Sequence, residues 1–299
     1  MGATHTLALF KMSHTLSIIS PQQWAVLQAL NTYRYLTVEQ MLNLGLSKNA
    51  KSIRDKTLFA LRHRKFIQSV KIGSFLPDVH HLTKHGATLL AEIEKTPTIA
   101  PLANKRMSFS AFFARHRFAQ VDIHIAFRQW VKQRGDAEVV LELQDFTSQQ
   151  KYPKGKFISA TELTTPELPT PIIPDGIFGV QLNTGQSAVY LVEVHRSTQT
   201  QAVTEQLIRY FNIIKTGAVQ KKFDLQAHPI VCSVHLQQSV MKGVKSRLTK
   251  HPEFASLHRN FVFRAMDHLP RGFIDDWQYA DNTTARPFPL PNHPQNERQ

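Results

Sequence analysis

The chain has 299 residues, 42% of them hydrophobic, which is enough for one large or two medium domains with sizeable cores. Lys and Arg number 36 against 22 Asp and Glu, a formal net charge of +14, so a polyanionic partner is expected, and nucleic acid is the commonest. The single cysteine, Cys232, excludes a disulfide framework and a cysteine-based zinc site. No apolar run approaches the length of a membrane span and no secretory signal is visible, so the expectation is a cytoplasmic chain without membrane insertion.

Ser20 followed by Pro21 signals a helix start, with Trp24, Leu27, Ala29 and Leu30 as its apolar side. Thr37 opens a second short helix carrying Val38, Met41, Leu42 and Leu44, and Gly45 closes it. A third helix is predicted over about 50–65. Its inward side is Ile53, Thr57, Leu58 and Leu61, and its other sides hold Lys51, Arg54, Lys56, Arg62 and Arg64. Phe66 to Ile72 and Val79 to Leu82 read as a two-stranded wing around a turn, and a further helix runs through Ile93. This order predicts a winged helix-turn-helix over residues 1–94, whose third helix enters the major groove of double-stranded DNA. Residues 1–100 hold 12 Lys and Arg against 5 Asp and Glu, which fits phosphate contacts from those five cations. The competing reading is a winged helix that docks protein, its basic residues forming a solvated helix face.

Residues 95–107 lack periodicity and contain Pro97, Pro101 and Asn104, as a linker would. A long helix is predicted over 108–134, with Phe112, Phe113, Phe118, Val121, Ile125 and Trp130 as its apolar face and His116-Arg117, Asp122 and His124 as its polar set. Gly135 ends it, and Glu138 to Leu143 reads as a strand. Residues 147–171 form a long polar connection with four prolines and with Lys151, Lys154 and Lys156, suited either to clamping single-stranded DNA or to being disordered without a ligand. Next come two apolar runs, Ile172 to Leu182 and Ala188 to Val194, separated by Asn183-Thr184-Gly185, which is hairpin chemistry. A helix over 200–216 packs through Val203, Leu207, Phe211 and Ile214. A strand over 227–236, a basic helix over 239–251 and a strand over 260–266 follow, and residues 281–299 read as a disordered tail. The elements of 108–280 together predict a second α/β (α+β) domain built on a mixed four- or five-stranded sheet.

The hairpin carries two carboxylates that an ordinary core would not want, Asp175 on its first strand and Glu193 on its second. Neighbouring carboxylates suit a divalent metal, Mg²⁺ or Mn²⁺, which takes one or two protein oxygens and fills its shell with water and phosphate. Such a metal polarises a phosphodiester and activates water. Gln206 and Tyr210 stand four residues apart on the following helix, on one face and directed towards the carboxylates.

Pro174-Asp175, then Glu193-Val194-His195, then Gln206-x-x-x-Tyr210 resembles the PD-(D/E)xK nuclease superfamily, and the trailing Gln-x-x-x-Tyr is similar to its RecB-like members. His195 stands where the superfamily has Lys, so a base or metal ligand replaces a fixed cation. The whole order of features, from winged helix through His116-Arg117, Pro174-Asp175-Gly176, Glu193 and Arg209-Tyr210, resembles the replication-relaxation family, which includes MobC-type relaxases of mobilisable plasmids. That resemblance covers about residues 20–236. It implies a relaxase: a metal-dependent endonuclease that nicks one strand at a plasmid or integrative-element origin, meeting double- and single-stranded DNA and transfer or replication proteins. It also implies a metal shell of Asp175, Glu193 and His116, with Asp175, Glu193, His195, Gln206 and Tyr210 as the catalytic set. Water is the default nucleophile; Tyr152, Tyr190 and Tyr210 are covalent candidates by position alone. The alternative is a non-catalytic origin-binding repressor or accessory factor with a degenerate nuclease fold.

Overall fold

The computed structural model describes residues 19–94, 111–144, 149–151, 157–226, 228–266, 273 and 276–284. The expected linker over 95–107, Tyr152, Lys154 and Lys156, and the tail beyond 284 lie outside the described residues. The chain forms two units, Met1–Phe118 and Ala119–Gln299.

In the first unit, α1 (Pro21–Tyr33) starts as the sequence indicates. The Ser20 hydroxyl accepts from Gln23 N while the Gln23 side chain accepts from Ser20 N, satisfying two otherwise orphaned donors. Thr37 and Gln40 repeat this device at α2 (Val38–Asn43). The third helix, α3 (50–63), is capped by Asn49 and is π-helical from Ile53 to Leu58. Its inward residues Ile53, Thr57, Leu58 and Leu61 are all buried, as their spacing requires. The hairpin of β2 (Ile67–Val70) and β3 (Val79–Leu82) gains a third strand that sequence pattern misses, β1 (Tyr35–Thr37), giving the antiparallel order β1-β3-β2. A three-residue strand is too short for its alternation to register. α4 (Lys84–Glu94) follows. The first turns of α5 (Ala111–Arg134) belong to this unit, where Ala114 and Phe118 pack with Tyr35, Ile72 and Val79.

In the second unit, α5 continues to Arg134, and Gly135 turns the chain at φ +71°. β4 (Ala137–Gln144) follows. β5 (Gln149–Lys151) and β6 (Phe157–Ser159) form a separate antiparallel pair. The hairpin is β7 (Gly176–Leu182) and β8 (Ser187–His195). α6 (Thr200–Lys215) and α7 (Ala218–Phe223) lead to β9 (Pro229–His235), and α8 (Gln238–Leu248) and α9 (Phe254–Leu257) lead to β10 (Phe261–Ala265). The result is a mixed five-stranded sheet, order β10-β9-β8-β7-β4. β4, β7 and β8 are antiparallel, and β8, β9 and β10 are parallel because helices carry the chain back between them.

Both sheet faces are covered. Val189, Leu191, Val231 and Phe261 meet Val203, Leu207 and Phe211 of α6 and Val244 of α8. On the other face, Phe178, Tyr190, Val192 and Cys232 meet Ile123, Phe127 and Trp130 of α5. This explains why β8 reads as a continuous buried run. Two expectations need correction. β7 begins at Gly176, so Asp175 stands just before the strand rather than on it, and Ile172 instead bridges to Leu163. The start of the expected tail, residues 281–284, also keeps structure, since Thr284 pairs with Gln278, which in turn pairs with Phe263.

Candidate functional site

Side chains alternate along β8, so Glu193 and His195 share the face covered by α6 and α8 while Val194 points to α5. Glu193 is only 4% exposed, an expensive place for a carboxylate unless it is hydrogen-bonded. α6 supplies the bonds. Gln206 Nε2 donates to Glu193 Oε2 at 3.1 Å, and the Tyr210 hydroxyl donates to Oε1. One turn of helix separates the two donors, so a single helix face grips the carboxylate. Burial, then the negative charge of Glu193, push the Tyr210 hydroxyl well above its ordinary value, and Asp175 acts in the same sense. Tyr210 is thus a fixed proton donor. It is fully buried, as is Tyr190, so neither hydroxyl is exposed at the surface.

Asp175 reaches the same neighbourhood by a different route. The last hairpin pair is Gly176 with Val192, and one further step of that register sets Asp175 across from Glu193. Pro174 has no N–H with which to extend the ladder. The Asp175 carboxylate takes over instead: Oδ2 accepts from Val194 N at 2.7 Å, and Oδ1 accepts from Gln120 Nε2 of α5 at 2.6 Å. Asp175, Glu193, Gln206 and Tyr210 are therefore brought to one end of the hairpin.

His195 is also buried, its ring 4.9 Å from that of His235, its register partner on β9. His235 Nε2 lies 2.8 Å from Ser233 Oγ, the register partner of which is Glu193. Burial, then the proximity of His195 and Lys245, push His235 well below the usual histidine value, so it is neutral. His116 lies on the part of α5 that belongs to the first unit, half-buried. Among the described residues, no three His, Cys, Asp or Glu side chains converge in a way that would hold a metal ion.

Sequence reasoning missed Gln120. Its position four residues after His116 on a predicted helix was the available signal. It named His124 in the polar set of that helix but missed the partners around it, Arg128, Glu142 and Gln144. Arg128 donates to both oxygens of Glu142 at 2.6 Å, and His124, 1% exposed in its side chain, lies between Glu142 and Gln144. Strand β4 supplies both partners, and a single-residue bulge between Val139 and Leu141 precedes them.

In the first unit, Lys51, Arg54, Lys56 and Arg62 are exposed on α3, and Arg64 is half-buried, 3.4 Å from Gln23 Oε1. Two large apolar side chains join them at the surface: Phe59 of α3, 61% exposed, and Phe75 between β2 and β3, 93% exposed. No helix among the described residues is long and apolar enough to cross a membrane. Compared with protein-family models, curated proteins and solved structures, the chain matches none.

Proposed function

We propose that the chain binds duplex DNA through a winged helix-turn-helix in its first unit and nicks one DNA strand through a nuclease-like site in its second, as a relaxase acting at an origin would. The observation that carries the reading is that Asp175 and Glu193 stand at the same end of the hairpin, each carboxylate held by donors from a different helix. A carboxylate buried on an apolar sheet face, as Glu193 is, adds nothing to stability by itself, because it requires compensation that Leu or Val would not. The order helix, three antiparallel strands, helix, parallel strand also supports a nuclease-like assignment.

Two carboxylates match what Mg²⁺ or Mn²⁺ asks of a protein. Bound there, the ion would polarise the scissile phosphodiester and acidify a water. The chain's own residues do the rest. Gln206 and Tyr210 fix the direction in which Glu193 presents its oxygens, and Gln120 with the Val194 N–H does so for Asp175. On α3, exposed cations supply phosphate contacts that hold the duplex.

A second reading rests on His195. Where the superfamily has a lysine, this chain buries an imidazole against a neutral one. That favours a binding protein that retains the fold and has lost cleavage. The test uses supercoiled plasmid carrying the DNA that flanks the protein's own gene. Wild-type protein with Mn²⁺ or Mg²⁺ is expected to yield open circles, and Glu193→Gln to yield none while retaining duplex binding. Duplex binding without open circles under either metal would leave the second reading.

A further inference from the structure

Helix α3 has a sharply ordered surface. Counting from Thr57 at roughly 82° per residue through the π-helical stretch and about 100° per residue beyond it, the buried residues Ile53, Leu58 and Leu61 cluster on one side, and Phe59 falls on the opposite side. Asp55, about one turn earlier, lies roughly 15° from Phe59. Arg54 and Arg62 fall roughly 70° to one side of this pair and Lys56 roughly 90° to the other. The centre of the most exposed side is therefore occupied by an aromatic ring and an anion, while cations line its edges.

Neither central residue suits a surface built only for charge attraction. Asp55 opposes it, and no ion pair or hydrogen bond among the described residues engages its carboxylate. Phe59 leaves 61% of its surface in water, and its ring neighbour among the described residues is His63, 6.4 Å away between centroids. Flank and centre have different uses when a helix lies in the major groove. Flanking cations meet the phosphates on either side, and only the centre reaches base edges. There, carboxylates accept from the cytosine N4 amino group and apolar side chains pack on the thymine methyl.

We infer that Asp55 and Phe59 determine DNA specificity, Phe59 reading a thymine methyl and Asp55 the amino group of a nearby cytosine. This rests on duplex binding by the first unit, proposed above. Arg54, Lys56 and Arg62 fix the register on the phosphates and carry no sequence information.

The experiment selects bound duplexes from a randomised library with the full-length chain. The wild-type site should contain a thymine close to a cytosine. Phe59→Ala should cut discrimination at the thymine by about tenfold, the scale of one base contact. Replacing that thymine with uracil should weaken wild-type binding comparably and leave Phe59→Ala unaffected. Asp55→Ala should relax the cytosine position alone. Both side chains are exposed, and an unchanged unfolding midpoint would establish that the variants fold. If both variants select the wild-type site, the inference fails while duplex binding stands. It fails equally if Phe59→Ala converts a dimer to a monomer, since a second copy then covers the ring. A wild-type chain that retains no duplex at any salt concentration removes the binding proposal itself.

Discussion

Asp175 Oδ2 accepts the backbone N–H of Val194 at 2.7 Å, so a side chain completes the hairpin where the backbone of β7 has not yet begun. The residue consequently has a structural duty separable from any metal duty. Asp175→Ala should strand the Val194 N–H and the Gln120 amide and lower stability by about 1–3 kcal/mol. Asp175→Asn keeps an acceptor for Val194, and an amide flip lets Gln120 accept from the new NH₂ group, so urea unfolding should show only a small loss. It removes the negative charge, and nicking should disappear with it. Wild-type nicking by a folded Asp175→Asn protein would refute metal binding at this position.

The hydroxyl of Tyr210 and the carboxylate of Glu193 depend on each other. Tyr210→Phe leaves Glu193 buried with Gln206 alone from α6, a loss of about 1–3 kcal/mol for a buried charged acceptor. It also changes the alkaline limb of stability. Burial and then Glu193 raise the hydroxyl above its ordinary 10.0, so the native protein keeps a proton that the unfolded chain releases. Stability is therefore complete below that value and falls as pH rises beyond it. Urea midpoints across this range should decline less steeply in Tyr210→Phe. A residual slope remains, because burial raises Tyr190 in the same direction.

Much of this arrangement was legible in the chain. Helix spacing gave the buried side of α3, and turn chemistry gave the hairpin that brings Asp175 to Glu193. The spacing of Gln206 and Tyr210 was enough to aim both at the second carboxylate. What escaped was whatever depended on partners distant in sequence. Gln120 is an unremarkable helix residue until the hairpin end arrives 55 positions later. Nothing local distinguishes Arg128 from a solvated cation until β4 presents Glu142. His235 likewise became relevant only when parallel pairing set it beside His195.

Gly86 tests a contact that propensity alone would misjudge. It lies inside α4, where Ala is ordinarily better than Gly by about 1 kcal/mol. Here a Cβ would stand 2.1 Å from the carbonyl oxygen of Phe66, a backbone atom that cannot swing aside. That oxygen also accepts from Thr83 N at 3.0 Å and Thr83 Oγ1 at 3.1 Å, which pins α4 against the start of β2. Gly86→Ala should therefore destabilise the first unit, by about 1–3 kcal/mol after the helix must shift. Chemical denaturation should show the loss; a rise in stability would mean that α4 is not held this close.

Acid should act on the two units through different groups. In the second unit, burial draws the Glu142 carboxyl upward, but hydrogen bonds from Arg128 and His124 and their charges prevail and hold it at about 2. A depressed carboxylate stabilises the fold above its unfolded value of 4.5, and that contribution is lost as pH falls from there towards 2. In the first unit, burial, then the charge of Arg62, push His80 down to about 4. Its unfolded form takes up a proton from 6.5 downwards while the native form refuses it, so stability falls over that higher interval. Arg128→Ala should lessen the loss below 4.5 and leave the His80 interval unchanged, because it removes donors that set Glu142 low. His80→Gln should do the converse. Chemical shifts of His80 together with urea midpoints across the acid range would measure both, and a His80 that protonates at its ordinary value would overturn its burial beside α3.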